Sequence, residues 1–197
     1  MYGDILRVDL SNERVTREPI PRDIARKFIG GEGINDWLLW EHFLKVDPKI
    51  DPLSPDNVLI IGLGPLGGTT FGQGSKTKFT FKGPAYNMFA DSVAGGVFGS
   101  MMRWAGYDHL VITGRARRPV YLYINNDRVE LRDAGRIWGK GAKEANHAIK
   151  AEVGDEELDT ACIGPAGENL VTFASITTSG WRSAGRCGGG AGMGSKN

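Results

Sequence analysis

The chain has 197 residues, enough for a real core in one large domain or two fused halves. Lys+Arg is 24 and Asp+Glu is 23, so the net charge is +1, which excludes a nucleic-acid surface that works by bulk charge. Only two cysteines are present, Cys162 and Cys187, which excludes a disulfide framework, a four-cysteine cluster and a closed zinc site. With no signal-peptide pattern and no apolar run near the ~20 residues of a membrane span, a cytoplasmic location without a membrane partner is expected.

In chain order, Ile5–Leu10 and Arg14–Glu18 read as a β-hairpin around Ser11 and Asn12, ended by Pro19 and Pro21. Arg22–Ile29 reads as a short helix stopped by Gly30 and Gly31. Ile34, Trp37, Leu38 and Glu41 fit a second helix, with Trp37 and Trp40 expected in core or partner-facing packing rather than in a cofactor box. A proline-punctuated loop, 47–57, leads to a short apolar strand, Val58–Ile61. After a glycine-rich stretch, residues 76–82 alternate, with Phe79 and Phe81 on one face and Lys76, Lys78, Thr80 and Lys82 on the other. Residues 94–106 read as a helix that starts at glycines and stops at Gly106.

His109–Thr113 reads as a strand. Val120–Ile124 and Val129–Asp133 form a hairpin around Asn125, Asn126 and Asp127. Ala142–Val153 is an amphipathic helix, Thr160–Ile163 a short strand, 164–169 a turn and Leu170–Ile176 a returning strand. The last stretch, Ser179–Asn197, holds seven glycines in nineteen residues, three cations (Arg182, Arg186, Lys196) and no acid. Glycine lets backbone N–H groups turn inward around an anion, and arginine adds forked donors to a phosphate. A cradle for a phosphorylated ligand and a loose glycine-rich tail both fit this composition.

Two segments repeat one plan: an apolar strand, a Gly-Pro turn (Gly64-Pro65, Gly164-Pro165), a further strand, then glycines opening a helix at Gly95-Gly96 and at 185–190. Such a duplication offers two similar anion-binding corners, as a ligand with two phosphorylated arms requires. Gly62-Leu-Gly-Pro-Leu-Gly67 has dinucleotide-fingerprint spacing, but Pro65 lies inside the turn and no helix follows. His42, His109 and His147 stand isolated, and no nucleophile–base constellation is legible. Cys187, between Arg186 and three glycines, reads either as a favoured thiolate or as a small residue in a tight loop.

From end to end, the chain resembles the N-terminal domain of the aldehyde ferredoxin oxidoreductase family of tungsten enzymes. The matching stretches include Met1-Tyr-Gly3, Gly30-Gly31, Asp51-Pro-Leu-Ser-Pro-Asp-Asn57, Gly64-Pro-Leu-Gly-Gly68, Gly95-Gly96, Phe98-Gly99 and Trp104-Ala-Gly-Tyr-Asp108. They continue with Val120-Tyr-Leu-Tyr-Ile124, Trp138-Gly-Lys140, Ile163-Gly-Pro-Ala-Gly-Glu-Asn-Leu170, Arg182-Ser-Ala-Gly-Arg186 and Met193-Gly-Ser-Lys-Asn197. The resemblance implies an α+β fold, β-rich, with two pseudo-repeated sheets and a few helices, over residues 1–197 as one cofactor-binding domain. It implies a tungsten or molybdenum ion held by two pyranopterins whose phosphates are joined through magnesium. The positions matching the family's pterin contacts are Lys76, Gly95, Gly96, Arg182, Ser183, Ala184, Gly185 and Arg186.

The implied reaction is oxidation of an aldehyde, with water, to a carboxylic acid. Electrons leave through a [4Fe–4S] cluster to ferredoxin. The cluster, the substrate pocket and the remaining domains or subunits are expected outside these residues, as is no nucleic-acid partner; a homodimer is a further expectation. Two other readings keep the fold: a subunit of a reductase acting on aromatic acyl thioesters, and a non-catalytic free-standing domain. Four positions depart from the family: Lys76 stands for a usual arginine, Val93 for an asparagine near the magnesium, Ser183 for alanine and Cys187 for glycine. Either Asp91 or Ser92 substitutes at the magnesium, or the bridge differs from the family's.

Overall fold

The computed structural model describes residues 3–197; Met1 and Tyr2 of the first matching stretch lie outside them. β1 (Asp4–Asp9) and β2 (Arg14–Pro19) form the expected antiparallel hairpin. Its turn is held by Asp9, whose carboxylate accepts from the N–H groups of Ser11 and Asn12 and from the Asn12 amide. α1 (Arg22–Phe28) and α2 (Glu32–Phe43) follow, separated by Gly30 and Gly31, both at positive φ.

β3 (Leu59–Leu63), β4 (Thr77–Gly83) and β5 (Met88–Ala94) form an antiparallel meander. α3 (Phe98–Trp104) and β6 (Tyr107–Thr113) complete a six-stranded sheet of order β2-β1-β6-β3-β4-β5, in which only β1 and β6 pair in parallel. β5 had no counterpart in the sequence reading. Its inward residues, Ala90, Ser92 and Ala94, are small or polar, so they leave no apolar alternation to detect.

Each face of this sheet carries a core. Ile5, Val58, Ile60 and Val111 pack with Ile34, Leu38 and Leu39 of α2. Leu6, Val8, Leu59, Ile61, Phe79, Phe81 and Ile112 form the larger cluster on the other face. The polar face of β4 is buried beneath α2 and the proline loop. Asn35 donates to Thr80 Oγ1 (3.1 Å), and Lys82 Nζ donates to the carbonyls of Pro48 and Ile50 (2.7 Å each). Trp37 is half-buried on the smaller core, whereas Trp40 lies exposed on the outer face of α2 and is not part of the core.

β7 (Val120–Asn125) and β8 (Arg128–Asp133) stand as a separate two-stranded sheet. α4 (Ala142–Val153) has the expected bounds, and Gly154 caps it in the left-handed region. β9 (Ala161–Cys162), β10 (Ile176–Thr178) and β11 (Arg182–Ala184) form a three-stranded antiparallel sheet. The 164–169 turn contains a single helical turn, α5 (Pro165–Glu168). The expected strand Leu170–Ile176 is corrected to β10, which starts at Ile176; Leu170 takes a positive φ, and Ala174 bonds back to Val171. The chain closes with α6 (Gly189–Gly194).

The α+β reading holds, and so does the repeated plan. β3-β4-β5-glycines-α3 and β9-β10-β11-glycines-α6 follow the same path, each around an antiparallel meander. The first meander is absorbed into the six-stranded sheet, whereas the second remains free-standing.

Candidate functional site

The two meanders meet where their glycines leave the sheets. Thr178 of β10 donates its hydroxyl to the Gly95 carbonyl (2.9 Å), and Ser92 of β5 donates to the Gly185 carbonyl (2.5 Å). Each repeat therefore holds the glycine corner of the other. The contact is close enough to require glycine at 96. That residue has φ +95°, and an added Cβ would stand 2.5 Å from Ser179 Oγ and 3.6 Å from Arg182 Cγ. Ser179 is itself fixed through Asp159 (2.6 Å) and the Thr160 carbonyl (3.0 Å).

Around this junction lie the positions singled out in the sequence. Gly95 and Gly96 form one corner and Arg182, Ser183, Gly185 and Arg186 the other, all at least partly accessible except Ala184, which is buried in the core. Lys76 is exposed and directly precedes the Thr77–Ala94 pair, so the register places it at the Gly95 end of the sheet. No ion pair involves Lys76, Arg182 or Arg186 among the described residues. Arg182 lies over the exposed Trp181 ring, 4.1 Å from its centroid. An added Cβ meets nothing within 4 Å at Gly185 or Gly64, and at Gly95 only Arg182 Cδ at 3.9 Å. Open glycine backbone beside unpaired cations can receive an anionic group closely.

Neighbouring loops are tied down. Arg103 of α3 donates to Asp108 (2.7 Å) and to the carbonyls of Pro65 and Gly67 (2.7 and 2.8 Å), while Trp104 donates to Gly68 (2.8 Å). Behind the junction, Lys78 pairs with Asp91 and Glu32. Burial works against the Lys78 ammonium, but these two carboxylates outweigh it and leave its pKa above the ordinary lysine value. Burial, then the charges of Glu32 and Asp91, push Asp36 upward; one of its carboxylate oxygens is buried without a hydrogen-bond partner.

Asp91 pairs with Lys78 through Oδ2, and Ser92 donates its hydroxyl to the Gly185 carbonyl. Among the described residues, no group of three or more His, Cys, Asp or Glu is arranged to hold a metal ion. Lys196 is not at the junction. It is buried, donating to the carbonyls of Asn57 (2.6 Å) and Gly114 (3.2 Å), and burial lowers its pKa to about 8. Cys187 packs half-buried against the larger core, which accords with its reading as a small residue in a tight loop. It sits in a run of three left-handed residues: Arg186, Cys187 and Gly188 have φ of 60°, 61° and 82°.

The final glycines divide into two sets. Gly185 is open, but an added Cβ would stand 2.9 Å from the Phe81 ring at Gly189, 2.4 Å from the Ser175 carbonyl at Gly190 and 2.1 Å from the Gly167 carbonyl at Gly194. Gly189 seats α6 on the Phe81 ring, and Gly190 and Gly194 let it pack backbone to backbone, so the stretch is neither a loose tail nor a cradle throughout. Thr178 and Trp181 carry no signal in the sequence, and Ser92 stands there as a magnesium candidate rather than as a clamp. The echo brought the two glycine corners into view, but no local spacing joins Ser92 to a carbonyl 93 positions away.

The family described as "Aldehyde ferredoxin oxidoreductase, N-terminal domain" matches residues 5–197, and the chain belongs to it. The chain is 44% identical over 196 residues to a tungsten-containing aldehyde ferredoxin oxidoreductase of Pyrococcus furiosus, covering 100% of this chain and 32% of that protein. It is 40% identical over 207 residues to the WOR-like subunit of an aliphatic sulfonate oxidoreductase of the same organism, covering 99% of this chain and 33% of that one. In structure it is similar to a chain of the active-site complex BamBC of benzoyl coenzyme A reductase with 1,5-dienoyl-CoA. The TM-score is 0.94 at 40% identity, covering 98% of this chain and 29% of that chain. The chain thus spans about a third of the length of these relatives.

Proposed function

We propose that this domain binds a tungsten (or molybdenum) bis-pyranopterin within a larger oxidoreductase that converts aldehydes to carboxylic acids and passes electrons to ferredoxin. The observation that carries the reading is the reciprocal clamp. Ser92 and Thr178 bring two open glycine corners together beside three cations without ion pairs. That chemistry fits a ligand with two phosphate-bearing arms.

In this reading Gly95, Gly96 and Gly185 offer close backbone approach, and Ser183 offers a hydroxyl. Arg182 and Arg186 supply forked donors, and Lys76 a point charge where the family favours a fork. Ala184 anchors the arc in the core rather than contacting ligand through its side chain. When bound, the cofactor supplies the two-electron chemistry; the chain's own residues bind and orient it. Asp91, paired with Lys78, would meet a magnesium ion only by sharing its carboxylate with that lysine.

The full-length enzyme carrying Arg182→Ala and Arg186→Ala tests this. Each loss of a charge-assisted contact is worth about 1.5–3 kcal/mol, or about tenfold to a hundredfold in cofactor affinity. Pterin fluorescence after denaturation and tungsten or molybdenum content should fall together, with the unfolding midpoint of the apo form unchanged. Full pterin and metal retention in the double variant would sink the proposal. A second reading, reduction of aromatic acyl thioesters, is favoured by the likeness to the benzoyl coenzyme A reductase complex. Turnover of an aldehyde against an aryl-CoA by the complete enzyme separates the two.

A further inference from the structure

Arg182 touches both corners of the junction. It opens β11 in the second meander, but its stem crosses to the first. A Cβ added at Gly96 would stand 3.6 Å from Arg182 Cγ, and one added at Gly95 would stand 3.9 Å from Arg182 Cδ. The base of this span is fixed by Thr178, whose Oγ1 lies 2.9 Å from the Gly95 carbonyl and 3.2 Å from the Arg182 carbonyl. The head folds over the Trp181 ring, with the guanidinium carbon 4.1 Å from the centroid.

Successive residues of a regular strand point to opposite faces, so neighbours there do not stack. The turn before β11 changes this. Ser179 and Gly180 take φ of 54° and 74°, and the Trp181 N–H donates to the Thr178 carbonyl (3.2 Å). The turn is anchored through Ser179 to Asp159, yet Trp181 leaves it 69% exposed, so packing in the core does not account for the ring. Two kinds of group can hold an arginine still. A carboxylate takes its donors and cancels its charge, whereas an aromatic face takes the guanidinium plane and leaves the in-plane N–H donors free. Arg103 is held in the first way, by Asp108 and two carbonyls. Arg182 is held in the second, and among the described residues no carboxylate pairs with it.

We propose that Trp181 is a positioning residue: its ring presets the Arg182 guanidinium across the glycine corners, charged and with its fork free for a phosphate-type oxyanion. The proposal rests on reading the junction as the seat of a phosphate-bearing cofactor, and it assigns Trp181 a part in that seat. The ring removes much of the rotamer freedom that a long, unpaired side chain would otherwise lose on binding. Ordering one such side chain beforehand is worth about two- to tenfold in affinity.

The test uses the complete enzyme and follows the half-time of pterin release in urea below the unfolding midpoint, by fluorescence of oxidised pterin in the filtrate. Trp181→Leu is expected to release pterin about two- to tenfold faster than the parent. Trp181→Phe, which keeps an aromatic face, should recover most of the difference. Arg182→Ala should release faster still, and adding Trp181→Leu to it should change nothing further, because the ring then has no guanidinium to hold. The unfolding midpoint of the apo form should stay the same in both Trp181 variants, since the ring is exposed. Release at the parent rate from Trp181→Leu, equal loss in the Leu and Phe variants, or an undiminished effect of Trp181→Leu beside Arg182→Ala would overturn the proposal. Fast release from Arg182→Ala with parent-like release from Trp181→Leu removes only the positioning role. Parent-like release from Arg182→Ala removes the phosphate seat itself, so the two readings fail separately.

Discussion

The meanders β3–β5 and β9–β11 follow one path and contribute different things. In the first, strands of five to seven residues sit inside a six-stranded sheet, and Phe79 and Phe81 anchor the larger core. In the second, strands of two or three residues carry two unpaired arginines at their exit, and the following helix is largely glycine. The first is scaffold and the second presents charge. The second can be so small because its glycine helix sits directly on the first, with Gly189 against Phe81. A duplicated plan has thus been divided between core packing and the display of charge, and the hydroxyls of Ser92 and Thr178 join the halves.

The largest expected effect tests that seating. Gly194→Ala places a Cβ 2.1 Å from the Gly167 carbonyl, and a backbone atom cannot step aside. A loss of about 3 kcal/mol or more is expected in urea unfolding. A cost below about 1 kcal/mol would break the comparison, because α6 would then not be seated on backbone.

Stability against pH separates the two regions next. His109, on β6 beside the first meander, is fully buried with Asn35 at 2.8 Å, and burial lowers its pKa to about 4 from the ordinary 6.5. Between those values the unfolded chain binds a proton that the folded chain refuses. Stability therefore falls as pH drops from 6.5 to 4, by about 3 kcal/mol at the end of the window. His109→Gln should flatten that part of the acid limb. Lys196, at the end of the second repeat, has its pKa lowered from 10.5 to about 8 by burial, and then by Arg115. The unfolded chain again holds the extra proton, so stability should rise by about 3 kcal/mol as pH climbs from 8 to 10.5. Lys196→Met should abolish that rise without changing the acid limb.

Smaller effects probe the junction itself. Ser92→Ala or Thr178→Val removes one arm of the reciprocal clamp and should cost about 1 kcal/mol by urea titration. The double variant should cost less than the sum if the arms support one another, because each single change already weakens the other arm. The smallest change belongs to Gly185→Ala, where no atom lies within 4 Å of the added Cβ and φ is not in the left-handed region. Stability should move by less than about 0.5 kcal/mol, while cofactor retention by the complete enzyme falls. Unchanged retention would leave Gly185 as a mere turn residue.

Much of this was legible beforehand. α4 showed its bounds through periodicity and Gly154, the two hairpins through alternation and turn residues, and the repeat through its Gly-Pro turns. Those signals are local, since the hydrogen bonds they report close within a few residues. β5 stayed hidden because its buried residues are small. Residues 170–175 misled because an apolar composition does not exclude a left-handed turn at Leu170.

The chain by itself determined that two glycine corners and a set of cations exist, and in what order. Only the tertiary structure decided which of them stand together. It set Gly95 against Thr178 and Ser92 against Gly185 across 83 and 93 positions, and it buried Lys196 away from the arginines it accompanies in sequence. It also separated the glycines that are open to a ligand from those that are closed by backbone. Such choices rest on pairings between distant segments, whose partners are selected by the whole packed core rather than by any window of sequence.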